Sequence, residues 1–191
     1  PLGAQTDISI RGGTSEQIIL LLNGINICDP QTGHNAMDLP VDLDDIVRIE
    51  VIEGPAGRIY GTSSLVGAIN VVTRRKGSER DITLHAEGGS FGYGNVGGRF
   101  SHSTLLTPHS STTNSLSANY SRCDGWSRAK EGGLNTDFSG GKAFYQGQYE
   151  GKSLQLHWHA GMADKGWGSS TFWASPKWQA DNQYEHTTKL Y

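Results

Sequence analysis

The residues best placed for chemistry are the histidines and acidic side chains, and the tightest grouping lies in "SLQLHWHAGM", residues 153–162, where His157 and His159 flank Trp158. In a strand, residues two apart share a face, so both imidazoles point the same way as Ser153, Gln155 and Gly161. Leu154, Leu156, Trp158, Ala160 and Met162 take the other face. A metal ion needs three or four converging ligands, usually with a thiolate or carboxylate among them. Neither histidine has a third ligand at helical or hairpin spacing, so no metal site is expected here. Asp124, Glu131 and Asp137 offer oxygen donors for calcium, at a spacing too common to specify a site. No nucleophile, base and orienter can be assembled, and there is no Walker pattern or zincin motif. Neither an enzyme nor a resident cofactor is expected.

The elements that position these residues must be built from an unusual composition. Of 191 residues, 35% are hydrophobic and 26 are glycine, while the net charge is -3 and the sequence pI is near 6.2. Scattered Lys and Arg provide no basic field, so nucleic acid is not an expected partner. Cys28 and Cys123 have no CxxC companion, and whether they pair stays open. The longest apolar run, "IILLL" at residues 18–22, is far short of the roughly 20 residues of a membrane-spanning helix, so any membrane crossing must be made by strands. The opening "PLGAQTDISI" lacks the charged start and apolar core of an export signal. The expectation is that the chain begins inside a longer one.

Two grammars follow one another. Up to about residue 77, short apolar runs ("DISIRGG", "IILLLNGINI", "IVRIEVIEGP", "GAINVVTRR") alternate with glycine turns, as in a small mixed sheet. Beyond it, Ile82, Leu84 and Ala86 alternate with Thr83, His85 and Glu87, and Leu116, Ala118 and Tyr120 alternate with Ser115, Ser117, Asn119 and Ser121. Strands are expected at residues 80–88, 94–103, 113–123, 138–151, 153–164 and 183–191. Their lengths of about nine to fourteen exceed the usual 5 or 6 of soluble sheets and suit tilted strands crossing a bilayer. The links "SFGYG" and "EGKS" are short, whereas residues 124–137 and 165–182 are long. A transmembrane β-barrel has that rhythm, with apolar residues outward and polar ones inward; a soluble sandwich would carry more Val, Ile and Leu on its inner face. On this reading His157 and His159 line a lumen and Trp158 faces lipid. Tyr120, Trp126, Tyr145, Tyr149 and Trp158 are candidates for aromatic girdles.

Four collinear pieces carry a resemblance: "DISIRGG" at residues 7–13, "LLLNGINICDP" at 20–30, "LDDIVRIEVIEGPAGRIYG" at 43–61 and "VGAINVVTRR" at 66–75. Together they resemble the plug domain of TonB-dependent outer-membrane receptors. "QTGHNAMDLP" at 31–40 and the aromatic stretch at 166–187 look most similar to cobalamin and siderophore receptors of Bacteroidetes-type bacteria. The resemblance implies a mixed α+β plug domain, residues 1–77 being its later part, followed by antiparallel transmembrane β-barrel strands. Residues 78–191 would be the first six or so strands of a plugged 22-stranded barrel in a Gram-negative outer membrane.

The implied function is energy-coupled import of a large scarce nutrient, cobalamin-like first and ferric siderophore or haem second. Its implied partners are that ligand, outer-membrane lipid, and the TonB complex through a segment preceding this chain. Residues 26–37 would form an apical loop, with Asp29, Gln31, Thr32, His34 and Asn35 as ligand contacts. Trp167, Phe172, Trp173 and Trp178 would clamp a large ligand, rigid rings giving contact area at low entropic cost. Arg11 matches the arginine that pairs with barrel carboxylates and locks the plug in the wall, a geometry suited to a guanidinium fork. The family's second arginine, before the "GP" turn, is replaced by Glu53. A non-transporting surface binding module or adhesin of the same architecture is the alternative.

Overall fold

The computed structural model describes residues 7–29, 38–54, 66–74, 79–125, 135–169 and 184–191. The chain divides into two compact units, one made of Gln5–Leu39 and Leu43–Arg75, the other of Pro1–Ala4, Pro40–Asp42 and Lys76–Tyr191.

The first unit is a four-stranded mixed sheet. Its strands are β1 (Ile18–Leu22), β2 (Ile25–Asn26), β3 (Ile46–Glu53) and β4 (Gly67–Thr73), in the order β2-β1-β4-β3. β1 runs parallel to β4, and the other pairs are antiparallel. All five residues of β1 are buried. An unbroken apolar run suits a central strand covered on both faces.

The sequence reading of "IILLLNGINI" as one strand is corrected here: Asn23 and Gly24 have φ of 53° and 85°. Two successive left-handed residues make a tight hairpin, and Asn-Gly is the pair that tolerates them. "DISIRGG" is likewise not a strand. Arg11 and Gly12 have φ of 49° and 78°, and Gly13 N–H closes a turn onto the Ile10 carbonyl. Among the described residues the helical turns are both of the 3-10 type, at Ser15–Gln17 and Leu43–Asp45, so the expected α component is not seen there. On the edge strand β3, alternation does not bury the apolar side: Val47, Ile49 and Val51 are 54–56% exposed.

The second unit is a six-stranded antiparallel meander, β5 (Arg80–Gly88), β6 (Gly94–Thr107), β7 (Ser110–Cys123), β8 (Phe138–Glu150), β9 (Gln155–Gly168) and β10 (Tyr184–Leu190), each paired with the next. The strands expected at 94–103, 113–123 and 153–164 run longer. Residues 104–112, expected to hold a connection, mostly continue the ladder around a tight turn at residues 108–109. Ser, Thr and Asn there satisfy the pairing as well as apolar residues do, so composition alone hid the extension.

The sheet is inverted relative to a soluble one. Arg99, Ser101, Thr113, Ser115, Ser117, Gln146 and Gln148 are buried on one face. On the other, Ile82, Leu84, Val96, Phe100, Leu116, Tyr120, Tyr145, Trp158, Met162 and Leu190 are all exposed. Fully burying one such side chain is worth roughly 1.5–3 kcal/mol. Even half of that for each approaches the whole net stability of a domain, about 5–15 kcal/mol.

Candidate functional site

The polar face is organised by cross-strand register. His85, on β5, lies 3.5 Å from the Asp42 carboxylate through Nε2, an ion pair when the imidazole is protonated. The same nitrogen is 3.2 Å from the Asn119 amide on β7, which donates at 2.6 Å to Asn95 on β6. Asn95 donates in turn to Glu87, and Glu87 also accepts from the Tyr93 hydroxyl at 3.2 Å. A continuous polar chain therefore climbs from Asp42 to the end of the sheet that carries the long connections.

Two residues before Asp42, Pro40 is buried, and a Cβ on Gly161 of β9 would come 2.6 Å from its ring. The segment Pro40–Asp42 thus touches both β5 and β9. Lower on the face, Phe144 is buried with its ring 5.8 Å from that of His159. The phenylalanine that breaks the alternation of β8 is a packing residue on the polar side. Asp81, on β5, accepts from Arg99 at 3.1 Å, and the arginine is almost fully buried.

His157 and His159 share this polar face, opposite Gln148 and Gln146, while Trp158 is on the other. No group of three metal-ligating side chains occurs among the described residues. Cys28 and Cys123 are both free thiols. Arg11 forms an ion pair with Glu53, so the glutamate standing where the resemblance leads one to look for a second arginine is the group that meets the first.

Of the ligand contacts read from sequence, Asp29 is half-buried three residues after β2. Trp167, assigned to a long connection, instead extends β9. It is 2% exposed and packed on Phe138, with Tyr93 and Cys123 alongside. Its position follows from pairing with Phe138 and with Glu185, a register that single-strand reading cannot see. Gln31, Thr32, His34, Asn35, Phe172, Trp173 and Trp178 lie outside the described residues, as do Trp126 and Glu131. Sequence reasoning missed Asp42, Asn95 and Asn119 because their meaning arises only when three strands and a loop converge.

Residues 1–68 match the sequence model of the TonB-dependent Receptor Plug Domain. Over those residues the chain belongs to the TonB-dependent receptor plug family. The chain is 28% identical over 169 residues to the vitamin B12 transporter BtuB of Photobacterium profundum, covering 85% of this chain and 27% of that protein. It superposes on the pyoverdine outer membrane receptor FpvA of Pseudomonas aeruginosa with a TM-score of 0.63 at 14% identity, covering 85% of this chain and 23% of that one. The siderophore receptor PirA of Acinetobacter baumannii gives 0.60 at 19% identity, with 82% and 25% covered. At such identities the structural likeness speaks for the fold. The chain spans about a quarter of the length of these relatives. Like them, this receptor chain is a protein of the Gram-negative outer membrane.

Proposed function

We propose that residues 1–77 are the later part of a receptor plug and residues 78–191 the first six strands of a 22-stranded barrel, in a transporter that imports a large scarce nutrient. The reading is carried by one observation: directly after the plug-matching residues comes a sheet whose polar face is buried and whose apolar face is exposed. A sheet that spans the bilayer must turn its apolar side to lipid and its polar side to an interior. The apolar face then contacts outer-membrane lipid, and the polar face lines an interior. The chain works as receptor and transporter, not as an enzyme.

The cargo is a cobalamin-like corrinoid first, following the named relative, and a ferric siderophore or haem second. Asp29, Gln31, Thr32, His34 and Asn35 contact it from the apical loop, and Phe172, Trp173 and Trp178 line its approach, while Trp167 stays packed in the sheet against Phe138. Arg11 and Glu53 fix the plug turn, and energy for release comes from the TonB complex through a segment outside this chain. Isothermal titration of the full-length receptor in detergent with cyanocobalamin, a ferric siderophore and haem tests this. Saturable submicromolar binding of one of them, weakened by Ala substitutions at His34 and Asn35, supports import and the apical-loop assignment. Silence with all three shifts the reading to a surface binding module.

A further inference from the structure

An asparagine followed by glycine is chemically labile, because glycine has no Cβ to keep its backbone nitrogen away from the preceding amide side chain. The pair occurs once in this chain, at Asn23-Gly24, in the turn that joins β1 to β2. Leu22 pairs with Ile25 across that turn, and both turn residues are left-handed. Gly24 is exposed, and a Cβ added to it would meet nothing within 4 Å. Water and hydroxide therefore reach the turn.

Both groups that would react are nevertheless engaged. Asn23 Oδ1 accepts from the Thr73 backbone N–H at 2.9 Å and from the Thr73 hydroxyl at 3.1 Å, and Asn23 Nδ2 donates to the same hydroxyl at 2.8 Å. The Gly24 N–H, whose nitrogen would be the nucleophile, donates to Asn70 Oδ1 at 2.9 Å. The Asn23 N–H is held as well, by the Val71 carbonyl at 2.9 Å. Asn70, Val71 and Thr73 all belong to β4, which runs parallel to β1. The reactive pair is thus restrained from a strand far away in sequence, and only while β4 stays paired with β1.

We propose that Asn23 is a gated deamidation site, closed while β4 lies beside β1 and converted to isoaspartate or aspartate when that pairing opens. Local opening of a sheet is an equilibrium, so the reaction proceeds at a rate set by the open fraction. In the open turn, hydroxide from solvent takes the Gly24 amide proton and the nitrogen attacks Asn23 Cγ. The new N–C bond closes a succinimide ring as the Cγ–Nδ2 bond breaks, and ammonia leaves with a proton from water. A water molecule then opens the ring. Cleavage at Cγ leaves aspartate, whereas cleavage at the Asn23 backbone carbonyl leaves isoaspartate, with the main chain routed through Cγ. Isoaspartate adds a carbon to the backbone of a tight two-residue turn, so the Leu22–Ile25 register is not restored. The site keeps a covalent record of opening in the first sheet.

The test incubates the full-length receptor in detergent at mildly alkaline pH and follows isoaspartate and aspartate at residue 23 by peptide mapping, with hydrogen exchange read on the same samples. Folded wild-type receptor is expected to convert about tenfold or more slowly than receptor unfolded in urea. Thr73→Val removes the hydroxyl and Asn70→Ala frees the Gly24 N–H. Each is expected to raise the folded rate about fivefold, as loss of one or two hydrogen bonds would, while amides of β7 and β8 keep their wild-type exchange. Equal rates in folded and unfolded wild-type receptor overturn the gate, and that comparison needs no variant. An unchanged or lowered rate in either variant overturns it too, since Thr73 and Asn70 would then not be what restrains the turn.

Discussion

Asn23 holds Thr73 with both ends of its amide. Its Nδ2 donates to the Thr73 hydroxyl at 2.8 Å, and its Oδ1 accepts the Thr73 backbone N–H at 2.9 Å. Thr73 is buried, and an unpaired buried donor costs roughly 1–3 kcal/mol. Asn23→Ala is therefore expected to speed hydrogen exchange at the Thr73 amide by about tenfold or more, read by mass spectrometry on the receptor.

Glu50 sits in the same face-to-face logic. Its carboxyl is held below the ordinary carboxylate range, first by the Asn70 amide and next by the Arg48 guanidinium, which donate at 2.8 and 2.7 Å. A carboxyl depressed on folding adds stability above its unfolded pKa and loses it as pH falls through the depressed folded value. Asn70→Ala is expected to move the Glu50 titration upward in carbon-13 NMR of the labelled receptor and to bring the loss to higher pH. Neither effect was read from the sequence: the "NG" pair reads there as part of a strand, and partners fifty and twenty residues away do not announce themselves.

At the scale of the strand, the apolar face has limits that step across the sheet. On β7 the apolar residues end at Tyr120, below Arg122, whereas on β9 they end at Met162, below Asp164, and Asp164 is level with Tyr120 through Gly141. At the other edge the apolar residues end at Leu116 on β7, level with Ala160, whereas on β9 they continue to Leu156. Both limits move the same way across the sheet, the upper one by two residues over two strands. One residue per strand, 3.3 Å along for about 4.8 Å across, is a tilt of roughly 35°, which is that of strands in a closed barrel. Leu84 lies mid-band, so Leu84→Arg in the full-length receptor is expected to cost about 2–4 kcal/mol in folding into vesicles, and Arg122→Leu far less.

Within that band Trp158 lies across Gly147, where an added Cβ would come 2.2 Å from the indole. Gly147→Val is expected to displace the ring and red-shift its fluorescence. Alternation and length made the six strands readable. Their ends were not, because Ser, Thr and Asn extend a ladder without the apolar signal that sequence reading follows.

At the scale of the molecule, inversion of the second sheet was visible in the sequence because period-2 alternation sorts residues onto faces wherever the sheet lies. The polar face as a site was not, since Asp42, His85, Asn119 and Asn95 become neighbours only through register. The most direct test of the account places single cysteines in the full-length receptor, with Cys28 and Cys123 replaced by Ser, at Leu84, Leu116 and Met162 on one face and at Ser117, Gln146 and Ala163 on the other. Spin labels at these sites in outer-membrane-type bilayers are read for collision with oxygen and with a water-soluble nickel chelate. The account predicts strong oxygen and weak nickel collision at 84, 116 and 162, and low oxygen access at 117, 146 and 163. Equal access on both faces, or lipid access at 117 and 146, would contradict it.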